Sequence, residues 1–572
     1  MSSVPWNSGA CWRVWGSPPA LPSGRGVTAP SPRIELPEPS LARRATLVVV
    51  LLLLPSLAAA QAAGDSATVP VIHRIELIRQ EIFDSSEATT WPERLSNSLH
   101  IRTRAPVIER ELLFRVGEPY DSVQVAESTR NLRSLGIFRD VRIDSIQTDS
   151  GLVMRVTTRD GWTTRPSGRL RSVGGQVAIG VSFYEDNFLG RATRAGVSFS
   201  SDPVRTTFAL EFRQPRLIGH RIGVGARWED RSDGDIAFGR IDRPFYSISD
   251  PWGFSASVEY RDETVSQFLY GVDVPVDTLD HVLAAARTAV TWAVRRRAHG
   301  YVRAGVLAQV VRNDYAPVAD TAPIPRTVTA AVGGYIERSH SRFATRTGFQ
   351  TFSRNEDVDL STTVTAGLWA APQFLGYDSA GIGLFATFRT GASFSNGFIL
   401  VNGISSGLIT AAGVDSGGTV LSSTIAWNPD ANSLVVVNGS VGWLTDPAPG
   451  YEFDLGLNSG PRAFGVHSFT GNRAFFATAE VRRLLWPHVF GLVGVGFAGY
   501  VDYGGAWWSG SPTRTGTNVG VGLRIGQLRS PQAVVSRIDL SWRFANDALG
   551  AGWIVSIGRG FVFSTNAQRP GR

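Results

Sequence analysis

The chain has 572 residues, of which 18 % are charged and 10 % aromatic, with 61 glycines. Soluble domains average about 25 % charged residues, so the composition argues against a string of soluble enzymes, and no apolar run after residue 57 is long enough for a spanning helix. The formal net charge of +7 rests on 56 basic residues, all arginine, with no clustered stripe that would mark a nucleic-acid binder; such a charge would suit anionic lipid head groups.

Residues 1–62 read as a leader. Arg43 and Arg44 precede an apolar run over 47–54, followed by Ala58-Ala59-Ala60-Gln61-Ala62. A charged start, a short apolar centre and a small-residue end form a secretory signal peptide, with cleavage expected near Ala60 or Ala62. The run is too short to cross a bilayer, which takes about 20 residues. The one cysteine, Cys11, lies ahead of the run. A mature chain would hold none, which excludes disulfides, zinc fingers and thiol chemistry. The Pro/Ser/Gly-rich stretch 1–41 reads as a start codon placed too far upstream.

Residues 71–161 form a candidate small α+β domain. A strand is expected over 71–78, then a polar segment to about 105. Helical spacing covers 107–114, with Val107, Leu112 and Leu113 apolar. Asp121 and Ser122 can cap a second helix over 123–135, which Gly136 would end. Two alternating strands, 138–146 and 152–158, join at Asp149-Ser150-Gly151. The connector 159–166 then leads toward a membrane.

From 168 to 563 the chain alternates. In 221–229, Ile222, Val224, Ala226 and Trp228 share one face, while arginines, glycines and Glu229 take the other. Segments 518–525 and 537–544 repeat the pattern. One such strand fits a soluble sandwich as well as a membrane barrel. Nearly 400 residues of them behind a signal peptide favour a transmembrane antiparallel β-barrel, apolar face to lipid and polar face to lumen. Sixteen to nineteen segments can be counted, and sixteen strands are expected. Residues 564–572 make a short tail.

Several motifs in this order resemble the BamA/TamA family of outer-membrane assembly proteins. Glu111-Leu112-Leu113-Phe114-Arg115-Val116-Gly117-Glu118-Pro119-Tyr120 and Asn131-Leu132-Arg133-Ser134-Leu135-Gly136-Ile137-Phe138-Arg139-Asp140-Val141 are similar to that family's periplasmic POTRA module. Tyr184-Glu185-Asp186-Asn187-Phe188-Leu189-Gly190-Arg191 resembles its first barrel hairpin. Gly460-Pro461-Arg462-Ala463-Phe464-Gly465 resembles its loop motif Val-Arg-Gly-Phe, with Pro for Val and Ala for Gly. The Ala puts any tight positive-φ turn at that site in question. Tyr500-Val501-Asp502-Tyr503-Gly504 resembles Phe-x-Asp-x-Gly. By alternation Glu480 and Asp502 face the lumen, and the resemblance implies that Arg462 folds inward and pairs with them, with Phe464 beside it. The last strand carries Ser556, Gly558, Gly560, Phe561 and Phe563, similar to the C-terminal signal that outer-membrane barrels present for insertion.

No metal-ligand spacing, phosphate loop or nucleophile elbow stands out, so no enzyme activity, metal or cofactor is expected. The resemblance implies an outer-membrane assembly, insertion or protein-translocation factor with a periplasmic N-terminal domain. Its partners would be unfolded outer-membrane or secreted clients, outer-membrane lipid and periplasmic accessory lipoproteins, with no nucleic acid. Clients would pair at a seam between the first and last strands, where Gly558 and Gly560 weaken the final strand. The alternatives are a passive outer-membrane channel and a secretion transporter dedicated to one partner. Dedicated transporters of this kind carry two periplasmic domains and an N-terminal plug helix; one domain and no plug are found in this sequence.

Overall fold

A computed structural model of the protein describes residues 70–561, apart from 85, 87–90, 174–175, 218–220, 269–276, 298, 318–326, 353–354, 376–379, 412, 457–459, 490, 531–533 and 547–548. The expected leader, Phe563 and the tail 564–572 lie outside the described residues.

The N-terminal α/β part begins with β1 (Ile72–Gln80), followed by α1 (Trp91–Leu99), α2 (Ala105–Glu109) and α3 (Ser122–Ser134). Two strands complete it, β2 (Phe138–Thr148) and β3 (Gly151–Asp160). The sheet order is β1-β3-β2, with β1 parallel and β2 antiparallel to β3. Asp121 caps α3 by accepting the Val123 N–H at 2.8 Å, and Gly136 follows the helix at φ 67°. Ile72, Ile108, Phe114, Leu132, Ile137, Met154 and Val156 are the centre of its core.

Two details differ from the sequence reading. The helix expected over 107–114 is a short turn ending at Glu109, because the Leu113 N–H turns away to the Ser128 hydroxyl at 2.9 Å. The stretch read as a polar segment contains α1, tied down by a side chain rather than by apolar periodicity: Asn97 accepts from the Phe83 N–H at 3.1 Å and donates to its carbonyl at 2.8 Å.

The remaining chain closes into a barrel. Its strands run β4 (Thr164–Val173), β5 (Gln176–Phe188), β6 (Thr193–Ser201), β7 (Thr206–Gln214), β8 (Gly223–Arg231), β9 (Gly234–Arg243) and β10 (Trp252–Gln267). They continue as β11 (Asp277–Arg297), β12 (Gly300–Pro317) and β13 (Thr327–His340). A small hairpin, β14 (Phe343–Thr347) and β15 (Asn355–Asp359), interrupts the sequence before β16 (Thr362–Ala371). Next come β17 (Gly381–Phe394), β18 (Gly397–Thr410), β19 (Gly413–Trp427) and β20 (Ser433–Thr445). A second small hairpin, β21 (Phe453–Leu455) and β22 (Phe469–Gly471), precedes β23 (Arg473–Val489), β24 (Val493–Trp507), β25 (Gly516–Gln527), β26 (Ser536–Arg543) and β27 (Gly552–Arg559).

Apart from the two small hairpins, these strands pair in sequence order and β27 returns to β4, giving a closed barrel of 20 strands among the described residues. The expected sixteen is therefore corrected. Links as short as Ser232-Asp233 and Ser395-Asn396 let neighbouring strands run together in the sequence. The barrel begins at Thr164 rather than 168 and its last strand ends at Arg559 rather than 563.

Alternation sorts the side chains. Val519, Val521, Ile538, Leu540, Trp553 and Val555 are exposed on the outer face, while Asn518, Arg524, Asp539, Ser541 and Ser556 are buried inside. Such an outer surface suits lipid. Among the described residues no helix is long and apolar enough to cross a membrane.

β4 leaves the α/β part, so every second turn of the barrel lies at the domain-side end. There the β5–β6 turn docks; the segment 184–191, read as the first barrel hairpin, is the end of β5 and this turn, because the β4–β5 hairpin turns at the other end. The Asn187 amide donates to Thr103 Oγ1 at 2.9 Å, and its oxygen accepts the Ala192 N–H at 2.9 Å. The Gly190 carbonyl accepts the Arg104 N–H at 3.0 Å. Gly190 has φ +70°, and a Cβ there would lie 2.6 Å from the Arg102 carbonyl, so only glycine fits. Further ties join Glu127 to Ser247 Oγ at 2.7 Å and the Trp162 N–H to the Arg529 carbonyl at 2.9 Å.

Candidate functional site

Two features of the barrel invite a functional reading: the seam and the long loop over residues 446–472 at the end opposite the α/β part.

At the seam, β27 and β4 share one registered pair among the described residues, Ser556 with Arg171. Every other neighbouring pair in the barrel zips over eight positions or more. Arg559 Nη1 donates across the seam to Ser167 Oγ at 2.8 Å. β4 also contains Pro166, which has no N–H to give to either neighbour.

The described part of β27 places the candidate signal residues as follows. Ser556 is buried on the lumen side. A Cβ at Gly558 would lie 2.8 Å from Arg537 Nη2, so glycine lets that guanidinium lie against the strand. Gly560 takes φ +64° and donates its N–H to the Val535 carbonyl at 2.8 Å. That left-handed residue turns the chain off the strand. Phe561 is therefore not part of β27; its ring lies 5.3 Å from Phe349 and under the Arg482 guanidinium at 4.8 Å. The reading of Phe561 as an aromatic of the last strand is corrected accordingly.

The loop motif sits between β21 and β22. Arg462 is buried, and its guanidinium lies 3.0 Å from Glu480, 3.0 Å from Asp502 and 3.5 Å from Asp539. Nη2 donates to Asp502 Oδ1 and to Thr478 Oγ1, both at 3.2–3.3 Å, and the Arg462 backbone N–H reaches Asp502 Oδ2 at 3.2 Å. The Tyr500 ring lies 3.6 Å beneath the guanidinium. Burial opposes the charge, but Asp502, Glu480 and Asp539 together hold the Arg462 pKa above its ordinary value.

A planar fork with donors spread over three nitrogens reaches carboxylates on three strands at once, a geometry that the single nitrogen of a lysine does not offer. The carboxylates are shared further. Glu480 also meets Arg482 at 3.0 Å and Arg524 at 2.9 Å, and Asp539 meets Arg524 at 2.6 Å and Arg537.

Phe464 is fully buried, 5.0 Å from Phe469, in an apolar cluster with Phe453, Leu455 and Ala463. Ala463 has no positive φ; the turn is supplied by Gly460 at φ +90°. A Cβ at Gly516 of β25 would lie 2.2 Å from Phe464 Cζ, so the wall carries a notch for the ring. The loop also reaches across the seam. The Val466 N–H donates to Gln176 Oε1 of β5 at 2.9 Å, and the same apolar cluster includes Ala178 of β5 and Ile554 of β27.

Arg462, Phe464, Glu480 and Asp502 thus come together in one buried site. Sequence reasoning missed Arg482, Arg524, Arg537 and Asp539 as members of the same cluster. Their signal was lumen-side parity: each occupies an inward position on β23, β25 or β26. Gln176 carried no signal, since its contact depends on where the loop ends.

No protein-family model matches the chain. It is 28 % identical to the outer membrane protein assembly factor BamA of Neorickettsia risticii (strain Illinois) over 214 residues, 35 % of this chain. The match spans 28 % of that relative's length. Among solved structures, BamA from Haemophilus ducreyi lacking POTRA domains 1–3 aligns over 87 % of this chain and 86 % of that one, at 12 % identity and TM-score 0.35. CdiB from Acinetobacter baumannii aligns over 86 % of this chain and 73 % of that one, at 10 % identity and TM-score 0.43.

Proposed function

We propose that this BamA/TamA-like chain is an outer-membrane assembly and insertion, or protein-translocation, factor that pairs client strands at the β4–β27 seam. The observation that carries the reading is the contrast between one registered pair at the seam and eight or more everywhere else. In lipid every parted ladder bond leaves backbone groups that nothing solvates, at a cost of several kcal/mol each. A barrel that must open sideways would concentrate its missing bonds at one seam. The exposed edges would then accept a client strand by β-augmentation.

The Arg462 loop is the brace in this scheme. It ties β23, β24 and β26 to β5 on the other side of the seam, so the two edges stay aligned while the bonds between them change. The α/β part would stand in the periplasm as a POTRA-like module, receiving unfolded outer-membrane or secreted clients and offering a surface to accessory lipoproteins.

The test is a lock across the seam. Arg171→Cys with Ser556→Cys places thiols on registered neighbours. The oxidised double variant should fail to assemble a reporter barrel in proteoliposomes, and reduction should restore assembly. Wild-type assembly by the oxidised form would sink the proposal. In cells, depletion followed by outer-membrane proteomics would give a broad fall in β-barrel proteins. Loss of one secreted protein would instead point to a dedicated transporter, and altered solute uptake alone to a passive channel.

A further inference from the structure

Between β13 and β16 the chain does not turn back directly. It inserts β14 and β15, whose base is closed by a bond from the Leu360 N–H to the Arg342 carbonyl at 2.8 Å. The strand order puts this insertion at the domain-side mouth of the barrel. It folds into the mouth rather than away from it.

The wall explains why. At the domain-side ends of β18, β19 and β20 the inward positions are Phe398, Leu400, Ala426, Leu434 and Val436, all buried. Phe349, Val358 and Leu360 of the insertion cover that patch, with Phe349 edge-on to Phe398 at 5.0 Å. Burying it removes apolar surface from water at about 25 cal/mol per Å².

The tip continues past β18, β19, β20 and β23 to the far wall. A Cβ at Gly494 of β24 would lie 3.0 Å from Phe352 Cδ2, and one at Gly526 of β25 only 2.7 Å from it. Two inward glycines therefore form a notch for one ring, much as Gly516 does for Phe464. The Gln350 carbonyl accepts the Val535 N–H at 3.0 Å, and Val535 in turn accepts the Gly560 N–H. With Phe349 against Phe561, the tip holds the end of the last strand. On its other side the insertion is tied to α3, by Arg133 to Asp357 at 3.1 Å and by Arg130 over the Phe343 ring at 4.8 Å.

We propose that β14, β15 and the Gly348–Phe352 stretch are a resident plug. It closes the domain-side mouth to solutes and pins the end of β27, so that mouth and seam are released together, with α3 of the α/β part placed to pull on it. This inference does not rest on client pairing; it concerns the closed state of the barrel, whatever passes the seam.

The geometry supplies a lock. Phe352 Cβ lies 3.4 Å from where a Cβ on Gly526 would be, close to the ~3.8 Å typical of a disulfide. Among the described residues there is no native cysteine to compete. The full-length protein carrying Phe352→Cys and Gly526→Cys would be oxidised and inserted into a planar lipid bilayer, with single-channel current as the readout. We expect the wild type to be mostly closed with brief openings, the oxidised variant to show none, and reduction to restore them. Deletion of residues 343–359 with a short Gly-Ser link should give large, steady openings, several-fold above the wild type in mean current. Phe349→Asp, which puts a charge against Phe398, should raise the open fraction in the same direction and serves if the deletion fails to fold. Failure of the two thiols to pair under oxidation would overturn the inference. So would wild-type current from a folded deletion or a folded Phe349→Asp variant, with heat-modifiable gel migration as the folding check.

Discussion

Replacing Arg462 by alanine isolates what holds the long loop in the lumen. Removing one partner of a buried ion pair costs about 3–5 kcal/mol, because the other charge stays buried. Here the loss falls unevenly. Glu480 keeps Arg482 and Arg524, and Asp539 keeps Arg524 and Arg537. Asp502 keeps only neutral donors among these contacts, the Thr478 hydroxyl at 2.7 Å and the Asn518 amide at 3.0 Å. The cost should sit at the lower bound, about 3 kcal/mol, and should appear as opening of the loop rather than of the barrel. At about 1.4 kcal/mol per decade, cleavage of the loop by thermolysin should then accelerate by roughly a hundred-fold. Cutting would be followed on the purified protein by mass spectrometry, with heat-modifiable migration showing that the barrel persists. Asp502→Asn removes the stranded charge, so the double variant should be cut at least about five-fold more slowly than Arg462→Ala alone, a non-additivity expected of partners in contact. Arg462→Lys should fall near alanine, since an ammonium cannot bond three carboxylates at the same geometry. Unchanged cleavage in Arg462→Ala, or strictly additive effects, would refute the brace.

Two further outcomes follow from close contacts. Gly516→Ala should drive a methyl into the Phe464 ring and loosen the same loop by about 1–3 kcal/mol; in a Phe464→Ala background the same change should cost little, measured by thermolysin cleavage of the loop. Gly190→Val combines an unfavourable φ with a 2.6 Å approach to the Arg102 carbonyl, so it should undock the β5–β6 turn from residues 101–104 at about 1–3 kcal/mol, seen as faster hydrogen exchange at the Arg104 amide.

How much of this was legible in the sequence depends on range. The period-2 alternation gave the barrel, and parity alone put Glu480 and Asp502 on the inner face, because both signals are local to a strand. The strand number was not legible, since two-residue links leave no gap in the pattern. Arg524, Arg537 and Asp539 have the same parity as Glu480's neighbours, but which inward residues meet depends on the stagger between strands. The inserted hairpin left only a weak trace: Phe398 and Leu400 are apolar at inward positions, but so are Phe385 and Leu408 elsewhere on the wall, so parity alone does not mark where an occupant sits. Phe561 was misplaced because the residue before it, Gly560, is free to adopt φ +64°, and nothing in the strand's own pattern reports that turn.

The two insertions enter from opposite ends of the barrel, yet they meet through one ladder of side chains. Arg462 of the far loop pairs with Glu480; Glu480 pairs with Arg482; Arg482 lies over Phe561 and points Nη1 toward the Phe349 carbonyl of the hairpin at 3.5 Å. All of these sit on or beside β23 to β27, the wall that ends at the seam. A wide barrel gains little from filling its lumen evenly, because most of the wall is held by ladders of eight or more pairs. Among the described residues, the place that lacks such a ladder is β27 against β4. There the insertions supply from inside what the backbone does not: the loop bridges to Gln176 near the far end of the seam, and the hairpin holds Gly560 and Phe561 at the near end. Bonds made by side chains and loops can be exchanged one at a time, whereas a backbone ladder in lipid parts at several kcal/mol per bond. On the proposed reading, a seam closed by insertions rather than by its own ladder is the line along which this barrel would open and close again without unfolding.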